Sequence, residues 1–487
     1  MRKTLLLLLP FLFFYLVGFA QRFQQYNSGT LYGSFENPSQ AAFIPDSSRQ
    51  FASNFFVPNF YINSYLKGNA QATLKSRAFL GYYNNKNLEI GQGRLNPTHA
   101  DLNVYVFMFK AYTSSNGKQE IGVSYQVRAD GRANVTDETI ALFNGSPSFT
   151  QPNYTNVFNS NGSYEAYHQF SATYREQVTK NFSVGVKLSA LLGVAYNKID
   201  ITGSSIQFSR EPGNTNGYYN NAEWGLAGSF RSNFLPGEFN VHKKIESFQN
   251  PGAAISIGMT YVAPGGIILQ GNLRDLGFIR WRARGGTFID NFDNRTTPAH
   301  IIGLTTPNRE SNVVNSLGDM VNAAPVYTSF NAPITGYADF SAAKKFMFGD
   351  DLTYTPTLIV SKQTFSQNLG GAWVNNVKYK SVGATVSGIY NYKTFDLGLQ
   401  LAYQTPNAEF FIGSEQLTRS LNFLNASSGN NLSAVNNSAA YSGAGVYLGF
   451  SLKFGRLIER WRNETYSPTG GEQGPLGKAW TRIFHTN

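Results

Sequence analysis

The chain contains no cysteine in 487 residues. Disulfide bonds, cysteine-based zinc sites and CxxC redox chemistry are therefore excluded, as is a lipoprotein anchor, which needs a cysteine at the cleavage point. None of the five histidines stands at the close spacing of paired metal ligands. They are His99, His168, His242, His300 and His485. No metal site and no cofactor is predicted.

Charged residues are also scarce. They make up 14% of the chain, against about 25% in typical soluble domains. The net charge is +11, but no clustered Lys/Arg tract accompanies it, so nucleic acid is not expected as a partner. Aromatic residues reach 15%, glycines number 47 and the mean hydropathy is -0.26. This combination is typical of a transmembrane β-barrel, which has aromatic girdles, a polar lumen and polar loops.

Long apolar runs are absent except at the start of the chain. Two basic residues precede a largely apolar run over residues 5–19, which ends at Ala20. The run is interrupted by Pro10 and is too short for a helical membrane span, which needs about 20 apolar residues. Residues 1–20 are therefore predicted to be a secretory signal peptide.

What the sequence has instead is strict alternation of apolar and polar residues. In GVYLGFSLKF, residues 445–454, every even position is apolar. Successive side chains of a strand point to opposite faces, so this segment predicts a strand with one apolar face. The same pattern appears at residues 121–127, 182–196, 255–261 and 395–403. Such strands occur in soluble sandwiches and in transmembrane barrels.

Less regular strand candidates include residues 70–83, 267–276, 334–346 and 378–390. Together the candidates suggest about 14 strands, several of them in the 9–11 residue range that crosses a bilayer. Tight turns join some neighbours, whereas long polar segments stand at residues 130–163, 209–221 and 416–442. This asymmetry is typical of outer-membrane barrels. Apolar residues at three-to-four spacing predict a helix over residues 311–324.

The predicted fold is all-β, a closed antiparallel transmembrane β-barrel with short helical segments in its N-terminal and loop regions. Residues 21–50 are interpreted as a periplasmic or plug-like segment, residues 51–454 as the barrel and residues 455–487 as a periplasmic tail. The tail is rich in Pro and Gly, and its interpretation as an extension that touches the barrel rim is favoured over a docking peptide for another protein.

The last predicted strand ends at Phe454. A terminal strand that closes on an aromatic residue resembles the signal read by the outer-membrane assembly machinery, which is therefore an expected partner together with outer-membrane lipid. In those barrels the aromatic residue is usually the last one, whereas here the chain continues to Asn487.

Two motifs resemble known groups. Residues 36–42, ENPSQAA, resemble the Asn-Pro-Ala element of fatty-acid-transporter-like outer-membrane barrels and of Bacteroidetes barrels related to the type IX secretion system. Residues 275–281, DLGFIRW, are similar to a hallmark of a Bacteroidetes family of exported barrel-like proteins of unknown function. The positions that carry the likeness are Asn37, Pro38, Asp275, Leu276, Gly277 and Trp281. The resemblance implies a barrel in the outer membrane of a Gram-negative cell.

Candidate lumen-facing residues follow from the polar face of the alternating strands: Arg128, Lys187 and Gln400. Trp281 is expected to anchor at the membrane interface, where tryptophan is enriched. His168 and Ser171 share a strand, but three residues separate them, which places them on opposite faces. No nucleophile, base and orienting group converge, so an enzyme is not predicted.

By resemblance, the expected function is the passage of a small hydrophobic molecule through the barrel. An accessory or anchor role in a surface-secretion assembly is the alternative, with secretion-system proteins as partners. A soluble, secreted β-rich binding protein is the third possibility.

Overall fold

A computed structural model describes residues 28–43, 49–113, 117–212, 217–234, 249–282, 288–292, 299–321, 326–364, 369–391, 394–429, 442–457 and 474–484. The predicted signal peptide and most of the predicted tail lie outside these residues. Among the described residues, no helix has the length and apolar character needed to cross a bilayer.

The strands close into a barrel of 14 antiparallel strands, which confirms the predicted fold class. In chain order the wall consists of β1 (Arg49–Ser53) with β2 (Asn59–Leu66), β3 (Leu95–Tyr112), β4 (Gln119–Thr136), β6 (Asn161–Gln177), β7 (Phe182–Ser209), β9 (Asn250–Val262), β10 (Ile267–Trp281), β14 (Phe330–Pro333) with β15 (Tyr337–Lys344), β17 (Leu352–Gln363), β18 (Leu369–Tyr379), β19 (Val382–Asn391), β20 (Thr394–Gln404), β21 (Ala408–Ser414) and β22 (Ser442–Leu457). Additional strands extend the wall at its ends: β5 (Asn153–Thr155), β8 (Asn221–Ser232), β11 (Phe288–Phe292), β12 (Ala299–Ile302), β13 (Val326–Tyr327) and β16 (Phe346–Phe348).

The ring closes between the first and last wall strands. Ser53 of β1 pairs with Leu452 of β22, and Phe60 of β2 pairs with Leu448. Each remaining wall strand pairs with the wall strands on either side, as in β19 between β18 and β20. A closed ring leaves no row of unpaired backbone groups along its side, which is what a barrel in lipid requires.

The outer wall is apolar and the inner wall is polar. On β20, Phe395 is 62% exposed and Leu401 is 55% exposed, whereas Asp396 and Gln400 between them are buried. The pattern recurs on β17, where Leu358 is exposed and Thr357 is buried. An exposed apolar band of this kind is stable in hydrocarbon and not in water, so the wall spans a membrane. The exposed apolar band contradicts the alternative of a soluble, secreted β-rich binding protein.

The two ends of the barrel differ. One end has tight connections at residues 178–181, 263–266, 380–381 and 405–407. Strands β1 and β22 also have their outer termini there. The opposite end carries long connections at residues 67–94, 137–160, 210–249, 282–329 and 415–441. They are called here the tight-turn end and the long-loop end.

Six helices accompany the wall in the described part of the chain. They are α1 (Leu31–Glu36), α2 (Gln71–Leu80), α3 (Asp137–Phe143), α4 (Arg309–Val321), α5 (Leu417–Gly429) and α6 (Pro475–Phe484), and a short 3-10 turn spans Asn85–Asn87. Helix α4 confirms the helix predicted over residues 311–324, and it packs against apolar residues at the long-loop end.

Two predictions about the strands are wrong. Residues 70–83 form helix α2 and not a strand, because QATLKSRAFL is rich in good helix formers and ends at Gly81 in the left-handed region (φ 79°). Residues 378–390 cover two strands, since Lys380 takes a left-handed conformation (φ 52°) in the turn between β18 and β19. Helix α5 lies in the long polar segment 416–442, in agreement with the short helices predicted for the loop regions.

The first wall strand is interrupted between β1 and β2. Asn54 is fully buried there, and its side chain donates to the carbonyl of Tyr105 (3.2 Å) and accepts from the amide of Met108 (2.7 Å). Phe55 and Phe56 adopt left-handed φ values of 47° and 63° and expose their rings on the outer wall. One amide side chain therefore replaces the ladder bonds that the interruption removes.

Candidate functional site: the plugged lumen

Residues 28–43 lie inside the barrel and are called here the plug segment. Helix α1 is capped at its start by Thr30, whose hydroxyl accepts from the amide of Gly33 (3.0 Å). It is capped at its end by Asn37, whose side-chain oxygen accepts from the amide and the hydroxyl of Ser39 (3.1 and 2.8 Å). All six helix residues are buried. The Asn-Pro-Ser sequence thus forms a tight, self-bonded turn that reverses the chain within the lumen.

Wall side chains satisfy the backbone of the plug segment. The amide of Leu31 donates to the carboxylate of Glu409 (2.7 Å), and the carbonyl of Ser39 accepts from Arg175 (2.8 Å). Lys110 donates to the carbonyl of Ser34 (3.1 Å). Because these bonds involve side chains and not a strand ladder, the plug segment is held by individual contacts and is no part of the sheet.

Glu36 is the main charged contact of the plug segment. Its carboxylate accepts from Arg274 (2.9 Å) and from the hydroxyl of Tyr105 (2.8 Å). Arg274 also pairs with Asp339 at 2.8 Å, and all three charged side chains are largely buried. Removing one member of a buried ionic group leaves its partners uncompensated in a medium of low dielectric constant. This group therefore ties the plug segment to β10.

Two wall glycines allow the plug segment to approach closely. A Cβ atom at Gly185 would lie 2.0 Å from the carbonyl oxygen of Pro38, and one at Gly258 would lie 2.3 Å from the side-chain oxygen of Asn37. Any larger residue at these positions would push against plug backbone or against the Asn37 turn. The motif residues Asn37 and Pro38 therefore lie against the wall of β7 and β9.

A bulge in β10 directs two consecutive charged residues into the lumen. The register of β10 against β9 shifts between Leu273 and Leu276, and Asp275 takes a left-handed φ of 51°. As a result Arg274 and Asp275 are both buried. A β-bulge re-aims side chains in this way because it inserts an unpaired residue into one strand.

Asp275 joins two of the three residues predicted to face the lumen. It forms ion pairs with Arg128 and with Lys187 (3.0 Å), and it accepts from Gln169 (2.9 Å). Gln400 is also buried, but it lies on β20, on a separate part of the ring from β4, β7 and β10. The structure thus groups Arg128 and Lys187 around one carboxylate of the hallmark motif.

The interpretation of Trp281 as an interface anchor is wrong. Beyond the bulge the alternation of β10 is reversed, so Trp281 points inward and is fully buried while Arg280 is exposed. Its ring packs on that of Tyr196 with centroids 5.4 Å apart. Of the other motif positions, Leu276 pairs with Ile255 and Gly277 pairs with Ala254 in the ladder with β9.

Phe454 lies on the outer wall near the tight-turn end and is 39% exposed. Its ring packs on Phe51 and Phe55, with centroids 5.5 and 5.4 Å apart. The strand continues past it to Leu457, through Gly455 with a left-handed φ of 89°. Its role as an assembly signal stays a prediction.

His168 and Ser171 lie on opposite faces of β6, as the spacing predicts. Ser171 is hydrogen-bonded to Ser189 inside the lumen (2.9 Å). His168 belongs to the outward row, where its Nδ1 is 2.9 Å from the hydroxyl of Tyr125. The pair does not form a catalytic arrangement.

The long-loop end contains an apolar cluster that sequence reasoning missed. It includes Phe149, Phe208, Trp224, Ile301 and Leu304, all buried, and the indole of Trp224 donates to the hydroxyl of Ser316 in α4 (2.8 Å). The aromatic residues come from strands β7 and β8 and from the connection that contains Phe149, so their convergence has no local sequence signal.

A cavity of about 490 Å³ lies beside this cluster. Its lining residues are Asn144, Pro147, Tyr218, Leu304, Thr305 and Arg309. Arg309 donates to the side chain of Asn144 (3.2 Å), while its buried Nε–H has no partner among the described residues. That Nε–H is enclosed by protein atoms, so the cavity combines the apolar surface of Pro147, Tyr218 and Leu304 with the polar residues Asn144 and Thr305.

Fold and site together define a membrane-spanning β-barrel whose lumen is closed by its own N-terminal segment. The chain belongs to a family of unknown function, DUF5723, whose model matches residues 42–415. A comparison with curated proteins finds no match.

Among solved structures, the chain is similar to the toluene transporter TbuX of Ralstonia pickettii, with 9% identity, 87% of this chain and 93% of that chain covered, and a TM-score of 0.37. It is similar to the toluene transporter TodX of P. putida, with 8% identity, coverages of 87% and 94%, and a TM-score of 0.38. It is also similar to a FadL homologue of Pseudomonas aeruginosa, with 10% identity, coverages of 87% and 93%, and a TM-score of 0.38.

Proposed function

We propose that this protein is a non-enzymatic outer-membrane barrel that passes a small molecule through its lumen when the plug segment moves. One observation carries the proposal: a short segment blocks the tight-turn half of the lumen, and the contacts described for it are hydrogen bonds, ion pairs and packing. Contacts of this kind break and re-form, whereas a strand of the wall cannot leave without opening the ring.

The cavity at the long-loop end supports a small, largely hydrophobic molecule with one polar group as the substrate. Tyr218, Leu304 and Pro147 offer apolar surface, and Asn144 and Thr305 offer polar groups for one oxygen of the molecule. A volume of about 490 Å³ is in the range of ordinary small-molecule sites.

A reversible crosslink tests whether the plug segment acts as a gate. The hydroxyls of Ser39 in the plug segment and Thr260 in β9 are 2.8 Å apart. The double variant Ser39→Cys with Thr260→Cys would carry the only two thiols in the chain, since the sequence has no cysteine. In liposomes, oxidation is expected to abolish uptake of a small aromatic probe with one polar group that does not cross lipid by itself, such as benzenesulfonate, and reduction is expected to restore it.

The two single-cysteine variants are the matched controls, because each carries one substitution and cannot form the crosslink. They should respond to neither oxidant nor reductant. Equal uptake by the oxidised and reduced double variant, with the crosslink verified by mass spectrometry, would show that the plug segment is not the gate.

The accessory role in a type IX-like secretion assembly, the Bacteroidetes origin and the export by residues 1–20 stay predictions from sequence and resemblance. Co-purification of secretion-system proteins with the detergent-solubilised barrel would support the accessory role. Uptake controlled by the crosslink would support passage through the lumen.

A further inference from the structure

The C-terminal helix α6 is attached to the outside of the barrel. At its start the amides of Leu476 and Gly477 each donate to the carboxylate of Glu176 at 3.0 Å. One turn later the ring of Trp480 packs on Phe182, with centroids 4.8 Å apart. A carboxylate at the first turn of a helix is favourable, because the free amides and the helix dipole both attract negative charge.

The position of Glu176 identifies the surface that α6 covers. Glu176 belongs to the same row of β6 as Phe170, which is 40% exposed on the outer wall. Phe182 belongs to the outward row of β7 together with exposed Leu188. Glu176 is nevertheless only 3% exposed. Helix α6 therefore lies on the outer wall at the tight-turn end, beside the apolar band.

The remaining surface of α6 has two different exposed faces. Lys478 and Arg482, four residues apart, form one exposed basic face. Ala479 and Ile483 form an adjacent exposed apolar face, and Ile483 is 68% exposed. A helix with a basic face beside an apolar face is typical of elements that lie in the plane of a membrane surface.

The neighbouring wall indicates what covers these faces. From the tight-turn end towards the middle of the barrel, the outward row of β4 runs from Gln119 to Ile121 and Val123, both exposed and apolar. The apolar face of α6 thus lies at the edge of the apolar band, where lipid acyl chains would meet the headgroups. Its basic face complements the negative charge of phosphate groups.

We propose that α6 is an anionic-phospholipid site, in which Lys478 and Arg482 bind the headgroup phosphate of the leaflet at the tight-turn end and Ile483 enters its acyl region. The occupant is the bilayer itself, and the site is independent of passage through the lumen.

An environment-sensitive probe tests the insertion. The variant Ile483→Cys provides a single thiol in the cysteine-free chain for labelling with a fluorophore such as NBD. In nanodiscs that contain phosphatidylglycerol, the emission should shift to the blue and iodide quenching should fall several-fold relative to the protein in detergent. The same label on exposed Ala479→Cys should show the same blue shift and the same loss of quenching. A label on Thr481→Cys, which is half-buried and not on the exposed apolar face, should show smaller changes in both.

The charge requirement is tested by lipid retention. Lys478→Gln with Arg482→Gln should weaken the preference for phosphatidylglycerol over phosphatidylcholine by about fivefold for each cation removed, measured by mass spectrometry of retained lipids. The matched control is Lys86→Gln with Arg94→Gln, which removes two exposed cations at the long-loop end. Heat-modifiable migration on gels verifies that every variant is a folded barrel.

Two results would overturn the proposal. A label at position 483 that stays equally accessible to iodide in detergent and in anionic nanodiscs would show that the helix does not enter the bilayer. An unchanged lipid preference in the Lys478/Arg482 variant, or protection of the label only by an added protein, would assign this face to another partner.

Discussion

The two ends of the barrel are packed by opposite means. The tight-turn half holds the plug segment by buried charges, as in the Glu36, Arg274 and Asp339 group. The long-loop end instead contains packed aromatic and aliphatic side chains, such as Phe208, Trp224 and Leu304. Charged contacts depend on each partner, whereas apolar packing tolerates local change if the volume is kept. The plug segment is therefore expected to be more sensitive to single substitutions than the apolar cluster at the long-loop end.

The largest effect is expected from breaking the charged group. Arg274→Met leaves the Glu36 and Asp339 carboxylates buried without their cation, which should cost about 3–5 kcal/mol of folding free energy. The variant should also leak ions in planar bilayers. The measurements are unfolding in urea with lipid vesicles and single-channel conductance.

The control for Arg274→Met is Lys380→Gln. Its pair with Asp351 is exposed (59% and 51% for the two side chains), so the change should cost at most about 1 kcal/mol. If both variants unfold at the same urea concentration, the buried group does not hold the tight-turn half.

A smaller effect is expected from crowding the plug segment. Gly185→Ala places a methyl group against the carbonyl of Pro38, which should cost about 1–3 kcal/mol and raise the frequency of open events in conductance traces. The matched control is Gly271→Ala, where no heavy atom lies within 4 Å of the added Cβ. Identical traces for the two variants would contradict the close packing of Pro38 on β7.

A substitution in the apolar cluster at the long-loop end should have a smaller effect, limited to the elements that pack on it. Trp224→Phe removes the hydrogen bond to Ser316 and should cost about 1 kcal/mol, so that amides of α4 exchange about fivefold faster. Trp373→Phe, on the lipid-facing wall at 59% exposure, should leave this exchange unchanged. Faster exchange throughout the barrel would show that the two halves are not separate.

The smallest effect concerns pH. Lys75 in α2 is buried, and burial, assisted by the charge of Arg419, lowers its pKa to about 8. The unfolded chain then binds this proton more tightly than the folded state, so stability should rise as the pH increases from about 8 towards 10.5. The slope of melting temperature against pH should flatten in Lys75→Met and not in the exposed Lys86→Met. A slope of the opposite sign would contradict the burial of Lys75.

Local alternation was sufficient to predict the wall. The outward row of β20, with Phe395 and Leu401, follows directly from a period of two, and so does the strand count. Alternation could not reveal where the two-residue period of a strand is interrupted. The sequence of residues 273–276 has no feature that indicates a bulge, so the inward position of Trp281 could not be predicted.

The site was predictable only where a local motif exists. Asn37 and Pro38 indicate a turn from their own chemistry, because the asparagine side chain bonds to the backbone that follows. The partners of this turn, such as Arg175 and Gly258, stand more than 130 residues away along the chain. Contacts of that separation depend on the ring being closed, and no short window of sequence contains them.

The bulge gives β10 one residue more than regular pairing needs, because residues 274 and 275 stand opposite the single residue 256 of β9. Loss of Asp275 would therefore restore regular alternation and leave residues 276–281 on their present faces. Loss of Phe278, beyond the bulge, would instead move Arg280 into the lumen and Trp281 into lipid. Natural variants of this strand should therefore tolerate a deletion at the bulge better than a deletion beyond it.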